Sequence, residues 1–518
     1  MTCVLGMVVR REWEIRSFVK TPFYRVVASQ SIGEAKEFPG EFRAVEGSDW
    51  YQSPKLYKEN GFKEEKDARE LIRTLEKNQP LQAVLERMEK KRETKNPPLL
   101  YNLAELQNDC SKMFKISPDQ TLKVVQELYE RKLVTYPRTD ARVLSTAVAK
   151  EISKNIGGLT HYEPLAAFAS EAMQAGLWKN IAKTRYVNDK QITDHYAIIP
   201  TGQGLGALRS LPELNRKIYQ VIVRRFLSIF YPAAVYQKYA VEIEVKGEHF
   251  FAGFKVLKEA GYLKVAEIPK KKKDTAGESV GRTNRLESGI DGNDAENPAR
   301  EADGTDSSQP KVIDASHPEF IQMLEQLKKG MKVSLDDLQI KEGETSPPKR
   351  YSSGSMILAM ENAGQLIEDE ELRAQIKGSG IGTSATRAEI LKKLFNIKYM
   401  ALNEKTQVIT PTYLGELIYE VVHTSMKQLL NPELTASWEK GLTYVAEGSI
   451  TPDEYMQKLE RFVIGRTYNA VHMGNTYGLR PAFDAVAVFY QNAGKEKKLN
   501  FKKGNDHEKR RNENHRII

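Results

Sequence analysis

A helix followed at once by a short strand occurs twice in this chain, and this pattern restricts the fold more than any other feature of the sequence. In the first segment Ser117 fits a helix N-cap, and Gln120 completes a capping box around Pro118, which suits the first turn. Apolar side chains then recur at helical spacing, at Leu122, Val125, Leu128 and Tyr129. Such segments predict a mixture of helices and strands, and an α+β fold is expected.

The first helix is predicted to end near Arg131, and Leu133–Tyr136 is predicted to follow as a short strand. Pro137 has no N–H to donate and stops a ladder at that point. Tyr136 is therefore expected at the end of a strand, where a side chain can be presented.

The second segment opens with the glycine-rich run 378–387 and continues with an apolar helical stripe at Ile390, Leu391, Leu394 and Phe395. Tyr399–Leu402 and Gln407–Ile409 flank a polar turn and predict a hairpin. A helix followed by a hairpin is the outline of a winged helix, a frequent DNA-binding module, although core hairpins share that outline.

Several domains are expected, because 518 residues exceed one ordinary core. Alternating residues from Tyr24 to about Lys55 predict β-structure, and 64–93 and 102–132 are charged and helical in period. The stretch 270–310 opens with four lysines and contains no aromatic residue, which predicts a disordered insertion.

The net charge of +9 favours a polyanionic partner, although such a surplus is also common on ordinary surfaces. From Lys495 onward the tail holds nine Lys or Arg against four Asp or Glu. This tail either contacts DNA nonspecifically or is simply solvated. Cys3 and Cys110 are the only cysteines, which excludes a Cys-x-x-Cys zinc site. Their spacing also disfavours a disulfide framework, which indicates a reducing compartment. No apolar run is long enough to cross a membrane, and the cytoplasm is expected.

Tyr136, Arg138 and Asp140 share one face if 136–140 is extended. A nucleophile would then lie beside a cation that can grip phosphate, with an acid near enough to orient the cation. The same residues also fit a tyrosine that closes a core strand and an arginine in a surface ion pair. His195 precedes an apolar strand and could donate to a phosphate oxygen, or it could be structural. The glycine-rich run could present backbone N–H groups to a phosphate, but it lacks P-loop spacing.

Three stretches together resemble the signatures of type IA DNA topoisomerases, in particular the topoisomerase III branch. They are Tyr-Pro-Arg-Thr-Asp at 136–140, Asp-His-Tyr-Ala-Ile-Ile-Pro-Thr at 194–201 and Gly-Ile-Gly-Thr-Ser-Ala-Thr-Arg at 380–387. Further stretches, among them 347–351, 360–364 and 434–439, are also similar. The likeness runs from residue 1 to about 465 without the 270–310 insertion.

The resemblance implies that Tyr136 attacks a single-stranded phosphodiester, holds the 5′-phosphate and later reseals the strand without ATP. Arg138 would grip the scissile phosphate and His195 would bind near it. The implied DNA-binding residues are Thr139, Asp140, Arg350, Ser384, Thr386 and Arg387. Single-stranded DNA is the implied partner, at the bacterial nucleoid, and a helicase or a separately encoded Toprim protein could join it.

The implied fold is a toroidal gate with a β-rich arch and winged-helix-like domains. Its expected divisions are 1–20, a remnant of the base; 20–95 and 211–345, the arch; 96–210, the tyrosine domain; 346–465, a DNA-binding base domain; and 466–518, a basic tail.

Ala141, Tyr196 and Ser384 depart from the residues usual in the family, but none of these changes removes a catalytic candidate. Family members begin with a Toprim domain whose Glu and Asp-x-Asp hold Mg²⁺, and this chain is expected to start after it. Glu368–Glu371 is interpreted as an exposed charged helix, so no metal ligand is assigned. The alternative function is a noncatalytic single-strand DNA-binding remnant. A tyrosine recombinase is disfavoured. That class has an arginine three positions after its histidine, and the residue three positions after His195 is Ile198.

Overall fold

The computed structural model describes most of the chain. The described residues are 1–31, 38–77, 82–192, 194–266, 311–313, 318–366, 380–474 and 478–491. The predicted insertion 270–310, the acidic run Glu368–Glu371 and the basic tail from Lys495 lie outside the described residues. Within the described ranges, none of the helices has the length and apolar character needed to cross a membrane.

Helices account for most of the described secondary structure. In chain order they are α1 Thr2–Ser17, α2 Glu65–Glu76, α3 Leu103–Phe114, α4 Pro118–Glu130, α5 Thr146–Leu159, α6 Ala166–Gln174, α7 Glu213–Ser228, α8 Leu263–Ala266, α9 Pro318–Gln326, α10 Ser353–Glu361, α11 Arg387–Asn396, α12 Tyr413–Met426, α13 Pro432–Ala446, α14 Pro452–Val471 and α15, residues 479–491. Helix α4 begins with the predicted capping box, in which Ser117 and Gln120 bond each other's backbone N–H groups.

The strands form one large sheet and one hairpin. They are β1 Pro22–Ser31, β2 Phe38–Phe42, β3 Leu56–Lys58, β4 Gly61–Phe62, β5 Gln82–Lys95, β6 Ala234–Val245, β7 Glu248–Glu259, β8 Lys311–Ile313, β9 Lys332–Glu344, β10 Met400–Leu402 and β11 Ile409–Pro411. The sheet order is β2-β7-β6-β5-β9-β1-β4-β3, and β8 adds to β7 in parallel. Because β2 also pairs with β1, six of these strands form a closed ring.

The hairpin predicted after helix α11 is confirmed as β10–β11 and is called the wing below. Met400 pairs with Pro411 and Leu402 with Ile409, and the Asn403 side chain accepts from the backbone of the turn. The wing therefore forms where the polar turn in the sequence predicts it.

Two local predictions are wrong. Residues 64–93 are helical only in the first half, because β5 occupies 82–95 and pairs with β6 and β9, which a pattern of surface charges does not reveal. The strand expected at 133–136 is a single bridge between Val134 and Pro200. Beside this bridge the two segments share single hydrogen bonds, from the Thr135 N–H to the Ile199 carbonyl and from the Thr201 N–H to the Leu133 carbonyl, and the pairing does not extend into a longer ladder.

Three hydrophobic cores organise the described chain. One fills the closed sheet. The second surrounds α3–α7 and the extended segments near Tyr136; helix α7 packs here although it lies in the range expected for the arch. The third joins α1 to α10, α11 and α12. Helices α3 and α10 make an extensive contact between the second and third cores, and the candidate site lies at this contact.

The fold class expected from the sequence, a multidomain mixture of helices and strands, is confirmed. The domain boundaries stay predictions.

Candidate active site

Tyr136 is half-buried and lies two residues beyond the bridge between Val134 and Pro200. The backbone N–H of Thr135 donates to the Ile199 carbonyl at 3.0 Å. This hydrogen bond aligns the end of the tyrosine segment with the run that begins at His195. Two motifs separated in sequence therefore lie side by side.

The rings of Tyr136 and His195 are in contact. Their centroids are 4.3 Å apart and the ring planes are inclined by 42°. On its other side Tyr136 meets Tyr129 edge to face, with centroids 5.4 Å apart. His195 is exposed, so the predicted nucleophile and the predicted phosphate-binding imidazole share an open surface.

Thr139 joins the two segments directly. Its side chain is buried, and its hydroxyl donates to the His195 carbonyl at 2.8 Å while accepting from the Ala141 N–H at 3.1 Å. The Thr139 hydroxyl thus forms hydrogen bonds with backbone groups of the protein itself. The DNA contact expected of Thr139 stays a prediction.

The N-terminus of α3 holds the backbone that follows Tyr136. Asn102 caps this helix by accepting from the Glu105 N–H at 2.9 Å. The Leu103 N–H, one of the donors that a helix start leaves free, donates to the Thr139 carbonyl at 3.1 Å. The Asn102 amide donates to the Asp140 carbonyl at 3.1 Å. The tyrosine segment is therefore fixed by a helix terminus.

Asp140 pairs with Arg387 and not with Arg138, which corrects the expectation that it orients Arg138. The Arg387 Nη1 lies 2.7 Å from the Asp140 Oδ1, and the Arg387 side chain is only 1% exposed. Sequence spacing could not reveal this, since 247 positions separate the two residues. Arg138 is exposed, and within the described part of the chain it is in no ion pair, so it is open to a phosphate.

The glycine-rich run bends sharply onto the end of α10. Gly380 and Gly382 have φ of 62° and 73°, in the left-handed region that favours glycine. A Cβ at Gly380 would lie 2.5 Å from the carbonyl oxygens of Met360 and Glu361. The Ile381 N–H donates to the Met360 carbonyl at 2.7 Å. The run therefore closes against α10 before α11 begins.

Three of the residues implied to bind DNA differ in exposure. Thr386 is exposed, Ser384 is half-buried and Arg387 is buried. The Thr386 hydroxyl accepts from the Thr383 N–H at 2.9 Å. The DNA contacts expected of Ser384, Thr386 and Arg387 stay predictions.

Arg350 is engaged with the N-terminal helix. Its guanidinium makes a bidentate pair with Glu12, at 2.7 and 2.8 Å, and its side chain is 42% exposed. Its predicted contact with DNA stays a prediction, and the geometry shows a second task, which is to anchor α1.

Glu361 is not among the site residues predicted from the sequence, yet it lies at the site. The Asn102 amide donates to its Oε1 at 2.7 Å, and the Arg387 Nη1 lies 3.8 Å from the same oxygen. Burial raises the pKa of this carboxyl to about 7. The one sequence signal was its position inside the 360–364 stretch that contributes to the resemblance.

Among the described residues, no group of three or more Asp, Glu, His or Cys side chains is arranged to hold a metal ion. Mg²⁺ stays a prediction, and no chemical step is assigned to it.

Comparison with known families and proteins gives a consistent result. A family model described as DNA topoisomerase matches residues 1–314 and 309–457. DNA topoisomerase 3 of Bacillus subtilis (strain 168) is 31% identical over 466 residues, which cover 89% of this chain and 54% of that protein. DNA topoisomerase 3 of Bacillus licheniformis is 30% identical over the same shares. The chain spans about half the length of the curated relatives it matches.

A solved structure shares the fold. Full-length topoisomerase I from Thermotoga maritima aligns with a TM-score of 0.56 and 20% identity, over 89% of this chain and 61% of that one.

Proposed function

The chain belongs to the type IA family of DNA topoisomerases, and from this premise we propose that it cleaves and reseals a single DNA strand through Tyr136. The contact between the rings of Tyr136 and His195 is the observation that carries the proposal. It joins the nucleophile to a phosphate-binding group on one surface, beside the exposed Arg138.

The reaction exchanges one phosphate ester for another. The Tyr136 oxygen attacks the phosphorus, the bond from phosphorus to O3′ breaks, and the tyrosine retains the 5′-phosphate. The proton lost from the tyrosine hydroxyl is balanced by the proton gained at O3′. Because the ester bond is conserved in the phosphotyrosine, attack by the 3′-hydroxyl reseals the strand without ATP. Between these steps another strand can pass, which relaxes or decatenates DNA.

The surrounding side chains have distinct tasks in this proposal. Arg138 neutralises the charge that grows on the phosphate oxygens, and His195 donates a hydrogen bond to them. Tyrosine is a weak nucleophile, so it depends on such cationic neighbours. The hydrogen bonds from α3 to the backbone of 139–140 keep the nucleophile in position before DNA arrives.

The test is capture of a covalent adduct. The full chain is incubated with labelled single-stranded DNA and Mg²⁺, denatured, and examined for a protein–DNA complex. We expect an adduct with the wild type and none with Tyr136→Phe, while both bind the oligonucleotide equally, because only the nucleophilic oxygen is lost.

Tyr129→Phe is the matched control, since Tyr129 packs edge to face against Tyr136 and is 38% exposed. It should still form the adduct. A wild type that binds but never forms an adduct would reject the proposal and favour the alternative, a single-strand DNA-binding protein of the same family. The Toprim partner and the helicase stay predictions.

A further inference from the structure

Arg387 lies between two carboxylates at the junction of α3, α10 and α11. Its Nη1 is 2.7 Å from the Asp140 Oδ1 and 3.8 Å from the Glu361 Oε1. The Arg387 side chain is 1% exposed and that of Glu361 is 19% exposed, whereas the Asp140 side chain is 37% exposed. The closer carboxylate belongs to the tyrosine segment, and the farther one ends α10. One guanidinium is therefore shared between two parts of the protein.

Asn102, whose side chain is neutral, connects the same two residues. Its amide donates to the Asp140 carbonyl at 3.1 Å and to the Glu361 Oε1 at 2.7 Å. The position of Glu361 is itself fixed, because Gly380 packs against its carbonyl and that of Met360. A change at Glu361 is consequently transmitted to Asp140 along two routes, through Arg387 and through Asn102.

We infer that Glu361 is a positioning residue for the Tyr136 site, which sets the place of segment 136–140 by sharing Arg387 and Asn102 with Asp140. This inference rests on the proposed function. It adds a residue that touches neither DNA nor the nucleophile, and acts only through Arg387, Asn102 and Asp140.

The charge state of Glu361 decides how Arg387 is shared. The charged groups that face Glu361 are Arg387 from α11, Asp140 and Arg142 from the loop after Tyr136, and Glu105 from α3. A neutral Glu361 leaves Asp140 as the preferred partner of Arg387. An ionised Glu361 competes for that guanidinium and repels Asp140, which loosens the tyrosine segment.

Burial raises the pKa of Glu361 to about 7, so the exchange takes place near neutral pH. The segment is held best below that pH, when Glu361 carries its proton. Glu361→Gln keeps the acceptor for Asn102 and stays neutral at every pH, so it mimics the protonated state.

The experiment compares initial rates of adduct formation on labelled single-stranded DNA for the wild type and Glu361→Gln. The ratio of the two rates removes the contributions of Tyr136 and Arg138, which both proteins share. We expect the wild-type rate divided by the Glu361→Gln rate to be near one at about pH 5.5 and to fall to about one tenth by about pH 8. This is the change expected when a group that titrates near pH 7 ionises in the wild type alone. A ratio that stays flat with pH overturns the inference.

Glu248→Gln is the control, because burial also raises the pKa of Glu248 to about 7, but this residue begins β7 in the sheet. Its rate ratio to wild type should not vary with pH. The second variant, Asp140→Asn, keeps Glu361 but lacks the carboxylate that competes for Arg387. Its rate of adduct formation, divided by that of Glu361→Gln, should therefore no longer fall as pH rises. A fall with pH as large as that of the wild type also overturns the inference. If the wild type forms no adduct at any pH, the proposed function itself fails, and the two failures are thus distinguishable.

Discussion

Arg138 and Arg387 both lie in motifs that carry the family resemblance, yet the fold gives them opposite environments. Arg138 is exposed beside Tyr136, while Arg387 is buried in its ion pair with Asp140. An exposed guanidinium can bind an incoming phosphate without first losing a partner, whereas Arg387 is 1% exposed and already pairs with Asp140, whose side chain is 37% exposed. Arg138 is therefore the more accessible of the two for the phosphate contact that the proposed function gives it, while Arg387 joins two segments of the protein.

Glu248 provides a prediction about stability at the scale of one residue. It is buried at the start of β7, where its Oε1 accepts from the Asp49 N–H at 3.2 Å, and burial raises its pKa to about 7. The folded state keeps this proton to a higher pH than the unfolded state. The free energy of unfolding therefore falls as pH rises from the ordinary glutamate pKa, near 4.5, to about 7.

Glu248→Gln should remove this loss. We expect the variant to exceed the wild type in free energy of unfolding by about 1–3 kcal/mol at about pH 8, and to match it near pH 4.5. Urea unfolding at both pH values measures this. Glu259→Gln, exposed at the other end of β7, is the control and should leave the pH dependence unchanged. A Glu248→Gln difference that is the same at both pH values would refute the assignment.

At the scale of elements, a buried ion pair joins α3 to α7. Arg225 and Asp109 lie 3.0 Å apart with side chains 6% and 7% exposed, and the Tyr101 hydroxyl donates to the same Asp109 oxygen at 2.6 Å. The Arg225 guanidinium also lies 4.1 Å from the centre of the Tyr101 ring. The N-terminus of α3 holds the backbone of residues 139–140. The triad therefore fixes the helix on which the position of these residues depends.

Removal of Arg225 should destabilise the protein strongly. Arg225→Met leaves the Asp109 carboxylate buried without its cation, which costs about 3–5 kcal/mol. Lys217→Met on the same helix breaks an exposed pair with Glu213 and should cost at most about 0.5 kcal/mol. Denaturant unfolding of the two variants tests the contrast. Equal losses of unfolding free energy in the two variants would mean that the buried triad stabilises the protein no more than a surface ion pair does.

At the scale of the whole molecule, the N-terminal helix is built into the C-terminal half of the chain. Glu416 is fully buried and receives hydrogen bonds from Trp13, Arg16 and the Tyr490 hydroxyl. Arg350 adds its bidentate pair with Glu12. Segments more than 300 positions apart thus form one core.

The basic tail, residues 495–518, leads to a prediction about DNA binding by the whole molecule. Its removal should weaken binding to single-stranded DNA and flatten the salt dependence, by about one slope unit for each lost phosphate contact. Binding constants measured by fluorescence anisotropy over a range of salt concentrations test this. A tail of the same composition in scrambled order is the control and should bind as the wild type does. An unchanged slope after deletion would show that the tail is only solvated.

The sequence alone determined the local elements and the family. The capping box of α4, the helix α11 with its wing, and the motifs around Tyr136 and His195 were all readable, because caps, turns and apolar periodicity act over a few residues. Periodicity failed at β5, where pairing with β6 and β9 decides the structure. The family followed from several motifs in order, which needs no knowledge of contacts.

Only the tertiary structure decided which charged groups meet. Asp140 pairs with Arg387, 247 positions away, and not with the neighbouring Arg138. Glu361 joins the site because α10 ends against the cap of α3, and its pKa rises because that junction excludes water. Ion pairs and burial depend on distances between segments far apart in the chain, and these distances are set by packing, about which local sequence carries no information.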